Sequence, residues 1–108
     1  MTAAEKRLER LHILRTMRDA VVAMTAKDIA TRANAECSVG ENHPDLAAID
    51  ALPPISLRGI TAKLNAMGLD GLVTMWVDGN CWPNEWSLTD KGRAAIVAAD
   101  SRAEATRP

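Results

Sequence analysis

Between residues 56 and 65 the chain carries Ser56, Arg58, Thr61, Lys63 and Asn65. On a helix, Ser56, Arg58, Thr61, Ala62 and Asn65 face away from a stripe of Ile60, Leu64 and Met67, with Lys63 at the flank. These groups can bond to nucleic acid. An Arg fork matches guanine, an Asn amide matches adenine, and Ser or Thr hydroxyls hold phosphate. The plain alternative is a solvated helix face with two cations. Thr25 and Lys27 open an earlier helix, whose first-turn amides and hydroxyl could also hold phosphate.

Other chemistry finds less support. Cys37, His43, Asp45 and Cys81 can be gathered into a metal site on paper. No pair has the close Cys-x-x-Cys or His-x-x-x-His spacing that makes a zinc site specific. Cys37 has no basic neighbour in sequence to lower its pKa and make it a redox sensor. His12, on the polar side of its helix, reads as a surface residue. There is no Gly-rich phosphate loop, no nucleophile elbow and no pair of carboxylates on a recognisable scaffold, so the expectation is a non-enzymatic protein without cofactor or metal.

The elements that must position these residues are legible. Leu8, Leu11, Leu14 and Met17, continued by Val21 and widened by Ile13, predict a first helix over 4–19. His12, Thr16 and Asp19 fall on its opposite side. Lys6, Arg7, Arg10, Arg15 and Arg18 alternate with Glu5, Glu9 and Asp19, the pattern of a solvated, salt-bridged face. Thr25 caps a second helix that runs to about residue 34, with Asp28 at N3 and Met24 and Ile29 as a staple. Within 35–55, Pro44 and the spacing of Leu46, Ile49 and Leu52 suggest a short helix, which Pro53 and Pro54 end. Ser56 starts a third long helix over 56–70, stapled by Ile55 and Ile60 and stopped by Gly71.

Two strands follow, 72–77 and 84–88. Pairing Val73 with Leu88, Met75 with Trp86 and Val77 with Asn84 gathers Val73, Met75, Trp86 and Leu88 on one face, which selects that register. Thr74, Trp76, Glu85 and Ser87 then face outward, and 78–83 form the loop. A fourth long helix begins at Thr89 and Asp90 and runs to Asp100. The polar segment 101–108 reads as a flexible tail.

The order helix, helix, helix, hairpin, helix resembles a winged helix-turn-helix domain. Ile60, Leu64 and Met67, then Gly71-Leu72-Val73, look like a recognition helix running into its wing. Leu88-Thr89-Asp90-Lys91-Gly92-Arg93-Ala94 is similar to the segment that leaves the wing in MarR-like and PadR-like regulators, and Met24 to Ala30 resembles the start of their second helix. The resemblance covers roughly residues 8–98. One departure is the 35–55 insertion, where a helix-turn-helix turn takes about 3–4 residues. The short helix is expected to pack beside the third helix and restore the spacing.

The resemblance implies a single winged-helix domain over 1–100, mainly α with a small β-hairpin. Its function would be that of a small DNA-binding transcription regulator, bacterial or phage. Thr25, Lys27, Ser56, Arg58, Thr61, Lys63 and Asn65 would contact double-stranded DNA, the third helix lying in the major groove. A homodimer through the first and fourth helices is expected, from the wide apolar arc of the first and from Ala94, Ile96, Val97 and Ala98 on the fourth. The competing class is a winged-helix protein-interaction module, as in a phage or mobile-element protein that binds a host protein. It would use Trp76, Trp82 and the 35–55 insertion.

Composition leaves room for both. The 108 residues suit one domain, with 13 Lys plus Arg against 14 Asp plus Glu and a net charge of −1. No strongly basic balance points to nucleic acid, and the wing loop holds Asp78 and no cation, so the wing should add little to DNA binding. The two cysteines are too few for a disulfide scaffold, and 1–10 lacks the apolar core of a signal peptide. With no apolar run long enough to cross a bilayer, the expected setting is the cytoplasm.

Overall fold

The computed structural model describes residues 2–20, 22–36, 38–76 and 84–105. The chain is mainly helical, with a small three-stranded antiparallel sheet of order β1-β3-β2. Helix α1 (Ala3–Asp19) is closed by a capping box. Thr2 Oγ1 accepts from Glu5 N at 3.1 Å, and Thr2 N donates to Glu5 Oε1 at 3.2 Å.

Every residue of α1 from His12 to Met17 is buried, including the side expected to face water. The cause is the helix's position. Helix α2 (Ala26–Ala35), a short α3 (Leu46–Asp50), β3 (Glu85–Leu88) and α5 (Asp90–Ala105) all pack on it. Periodicity reports one apolar face, whereas a central helix is covered on several.

Strand β1 (Met24–Thr25) was not expected. It pairs Met24 with Trp86 and Thr25 with Glu85, turning the hairpin into a three-stranded sheet. Thr25 then caps α2, its Oγ1 accepting from Asp28 N at 3.2 Å. Strand β2 (Val73–Trp76) and β3 pair in the expected register, Val73 with Leu88 and Met75 with Trp86. Val73, Trp86 and Leu88 are buried, but Met75 on the same face is exposed. The pairing expected for Val77 lies outside the described residues.

Helix α4 (Leu57–Leu69) buries Ile60, Leu64 and Met67. It is capped by Ser56, whose Oγ accepts from Gly59 N at 2.9 Å. It ends in a left-handed cap: Gly71 has φ 78°, Gly71 N reaches Gly68 O, and Leu72 N reaches Met67 O. The helix pair α2 and α4 packs directly despite the insertion between them. Asn34 is the clamp. Its Nδ2 donates to Ile55 O at 2.9 Å, and Ile55 N donates to its Oδ1 at 2.8 Å, which ties the two ends of the insertion together. The short helix α3 packs on α1 rather than taking up that spacing role.

Helix α5 continues to Ala105, through most of the segment expected as a flexible tail. Its start is pinned to the hairpin. Thr89 Oγ1 donates to Leu72 O at 2.9 Å and accepts from Gly92 N at 3.1 Å. A Cβ on Gly92 would collide with the Leu72 carbonyl and approach Leu88 Cδ1 to 2.8 Å. Gly92→Ala should therefore cost about 1–3 kcal/mol by overpacking against backbone. Gly40→Ala, which meets nothing within 4 Å, should be near neutral. Urea unfolding of both variants checks this, and equal midpoints would refute the close approach.

Candidate nucleic-acid interface

The outer face of α4 and the first turn of α2 border one groove. It holds about 500 Å³ and is lined by Thr25, Ala26, Lys27, Leu57, Thr61, Asn65, Met75, Asn84 and Trp86. Three elements converge there because Trp86, on the central strand, lies against the backbone of α4 at Gly68 and pairs with Met24 just before α2. Leu57, Thr61 and Asn65 are four residues apart and so form one ridge along α4.

Of the candidate residues from the sequence, Thr25, Lys27, Thr61 and Asn65 line this groove, while Ser56 and Arg58 stand exposed at the start of α4. Lys27, Thr61 and Asn65 are exposed, and Thr25 is half-buried. Thr25 and Ser56 use their oxygens as helix caps, which leaves each hydroxyl proton free to donate. Neither Lys27 nor Arg58 is held in an ion pair among the described residues. Among the described residues that line the groove, Lys27 is the charged one and none is a carboxylate. Both helices also present their N-terminal ends here, where amides without intrahelical partners favour anions.

Lys63 is the exception. Its ammonium reaches the buried carboxylate of Glu9 on α1, Nζ to Oε1 at 2.6 Å. It ties α4 to α1 and is not free for phosphate. Sequence reasoning missed Leu57 and Met75, both exposed in the groove. Leu57 is apolar at a first-turn position, and that was the available signal. For the competing set, Trp82 and the side chain of Trp76 lie outside the described residues.

A second polar cluster contradicts the expectation that Arg15 and His12 are solvated. Arg15 is 0% exposed. Its Nη2 donates to Asp100 Oδ1 at 2.5 Å, with Asp45 Oδ2 at 3.8 Å. Asp45 N donates to His43 Nδ1 at 3.1 Å, and His43 Nε2 lies 3.4 Å from both Asp100 Oδ1 and Arg15 Nη2. Burial pushes the Asp100 carboxyl up, but the hydrogen bond and charge of Arg15, aided by His43, outweigh it and hold the group below its usual pKa. His12 is enclosed by the insertion and the end of α2. Its ring nitrogens meet Ser38 Oγ at 2.6 Å and Ala33 O at 2.7 Å. Only folding could reveal either burial, since the partners lie 21 to 85 positions away.

Of the α1 cations expected in local salt bridges, Arg18 has one, whereas Arg10 reaches across to the end of α4. Arg10 pairs with Asp70 at 3.0 Å and Arg18 with Asp19 at 3.1 Å, both at the surface. Among the described residues no three metal-ligating groups cluster, and no helix is long and apolar enough to cross a membrane. Cys37 and Cys81 lie outside the described residues. Comparison with family models, curated proteins and solved structures yielded no match.

Proposed function

We propose that this chain is a winged-helix DNA-binding protein, a small transcription regulator that lays α4 in the major groove. The observation that carries the reading is the groove face: Lys27, Thr61 and Asn65 in the lining, Arg58 exposed beside Leu57 with no ion pair among the described residues, and no carboxylate among the described lining residues. The sheet order β1-β3-β2 and the close packing of α2 on α4 support the winged-helix assignment. The Asn34 clamp accounts for how a long insertion is compatible with that packing.

In this reading the first-turn amides of α2 and α4, with the Thr25 and Ser56 hydroxyls, take phosphates. Arg58 reads guanine or a phosphate, and Asn65 reads adenine. Lys27 is a phosphate contact, whereas Lys63 fixes α4 against α1. A two-fold pairing of subunits would use α5, where Ala94, Val97 and Ala98 are exposed, because the middle of α1 is covered within the subunit.

The test is a salt-series titration on selected and scrambled duplexes. Arg58→Ala should weaken the selected site by about 1–3 kcal/mol, and Lys27→Ala should weaken all duplexes alike and reduce the salt slope by about one. Failure of the wild type to bind any duplex at low salt would sink the reading. The protein-interaction alternative draws on one observation: Leu69 and Val22 stand almost fully in water, beyond what a DNA face uses.

A further inference from the structure

The large apolar side chains exposed among the described residues are Val22, Leu57, Leu69, Met75 and Val97. Two of them, Leu57 at 56% and Met75 at 40%, come from different elements yet line the same groove. Around them are Thr61, Asn65 and Asn84, with Lys27 as the charged residue among the described lining. The nearby carboxylates Asp28 and Glu85 do not line it. Arg58 stands exposed next to Leu57.

This pattern has a specific complement. In the major groove each base pair presents polar edges, and thymine alone adds a methyl group. A T·A pair sets that methyl beside the N6 and N7 of adenine, the pair of atoms that an Asn amide matches. The ridge Leu57, Thr61, Asn65 runs from an apolar end to an amide end, with a methyl-bearing side chain between them. Leu57 is the first residue of α4, and N-terminal residues of a recognition helix approach base edges most closely. Lys27 in the lining, and Arg58 exposed beside Leu57, match phosphates. A polypeptide helix would instead seek a continuous apolar stripe, which Thr61, Asn65 and Asn84 interrupt.

We propose that Leu57 and Met75 are specificity-determining residues that contact thymine C5-methyl groups, and that with Asn65 they direct the protein to T·A pairs. The inference rests on the DNA-binding reading and adds what the groove selects. No hydrogen bond to thymine is required for it. The discrimination is burial of one methyl group per contact, removed from water between two flexible apolar side chains.

The experiment uses the full chain and duplexes it selects from a randomised pool. Each thymine in a selected duplex is replaced in turn by deoxyuridine, which removes the methyl and leaves the pairing edge unchanged. One or two replacements should lower affinity about fourfold each, the value of one buried methyl, and the rest should have no effect. Leu57→Ala or Met75→Ala should lower affinity for the thymine duplex by a similar factor and abolish the thymine–uracil difference at its position. Both side chains are exposed, so the urea midpoint should stay near wild type and show that the variants fold. Equal affinity for thymine and uracil at every position, with Arg58→Ala still weakening binding, overturns the methyl contact and leaves DNA binding standing. Absence of binding to every duplex at low salt overturns both. In that case, loss of a purified polypeptide partner on Leu57→Ala would reassign the groove to protein.

Discussion

Replacing Trp86 with alanine should cost about 3–5 kcal/mol of folding stability, through lost burial and the cavity left behind. Trp86 is 6% exposed on the central strand, between Met24 on β1 and Met75 on β2. Its ring also lies against α4, so a Cβ on Gly68 would sit 3.6 Å from its Cζ3. One side chain therefore joins the sheet, the start of α2 and α4. Removing it leaves a void that three elements must close together, and the backbone around a sheet relaxes little. The loss should be read from urea unfolding. Met75→Ala, on the same face but exposed, is the control and should lose far less. Similar losses for the two would mean that the sheet does not pack on the core as described.

The second large effect concerns Arg15. Arg15→Ala should destabilise by about 3–5 kcal/mol, because it removes a fully buried side chain and takes from Asp100 its shortest ion pair, leaving His43 and the more distant Arg18. The Asp100 side chain is 39% exposed, so water compensates it in part and the value should fall at the lower end. Arg15→Met keeps most of the volume and should lose much less, since buried charges are costly to desolvate. Two guanidinium nitrogens of Arg15, Nε and Nη1, are buried without a partner among the described residues, which strengthens that expectation. Acid provides the finer test. The native pKa of Asp100 lies below its unfolded value, so the contribution is complete above the ordinary Asp value near 3.9 and disappears as pH falls through the native one. Below about pH 4, wild type should lose stability faster than Arg15→Met. Parallel acid profiles would show that the pair contributes nothing.

The local signals in this chain were reliable where one residue type had one physical use. Thr25 and Ser56 cap α2 and α4 because a side-chain oxygen can satisfy a first-turn amide whatever the rest of the molecule does. Gly71 ends α4 because the left-handed turn costs glycine little. The strand register followed from side-chain alternation, since a slip of one residue would turn Trp86 and Leu88 to the outside. The groove residues Thr61 and Asn65 were legible for the same reason, as the side of α4 opposite its buried stripe.

Tertiary structure decided what each helix face meets. Arg15 and His12 read as solvated because their own helix offers no hint of cover, yet Asp100, Asp45, Ser38 and Ala33 arrive from distant segments. Lys63 read as a phosphate contact until packing brought Glu9 within 2.6 Å. Strand β1 exists only because β3 offers it an edge, and two residues carry no strand signal of their own. Met75 has the right parity for the core but lies where the groove keeps it in water. Helix caps, turn glycines and side-chain parity depend on neighbours in the chain, which the sequence states by itself. Burial, ion pairing and the groove depend on which surfaces meet, and only folding brings those surfaces together.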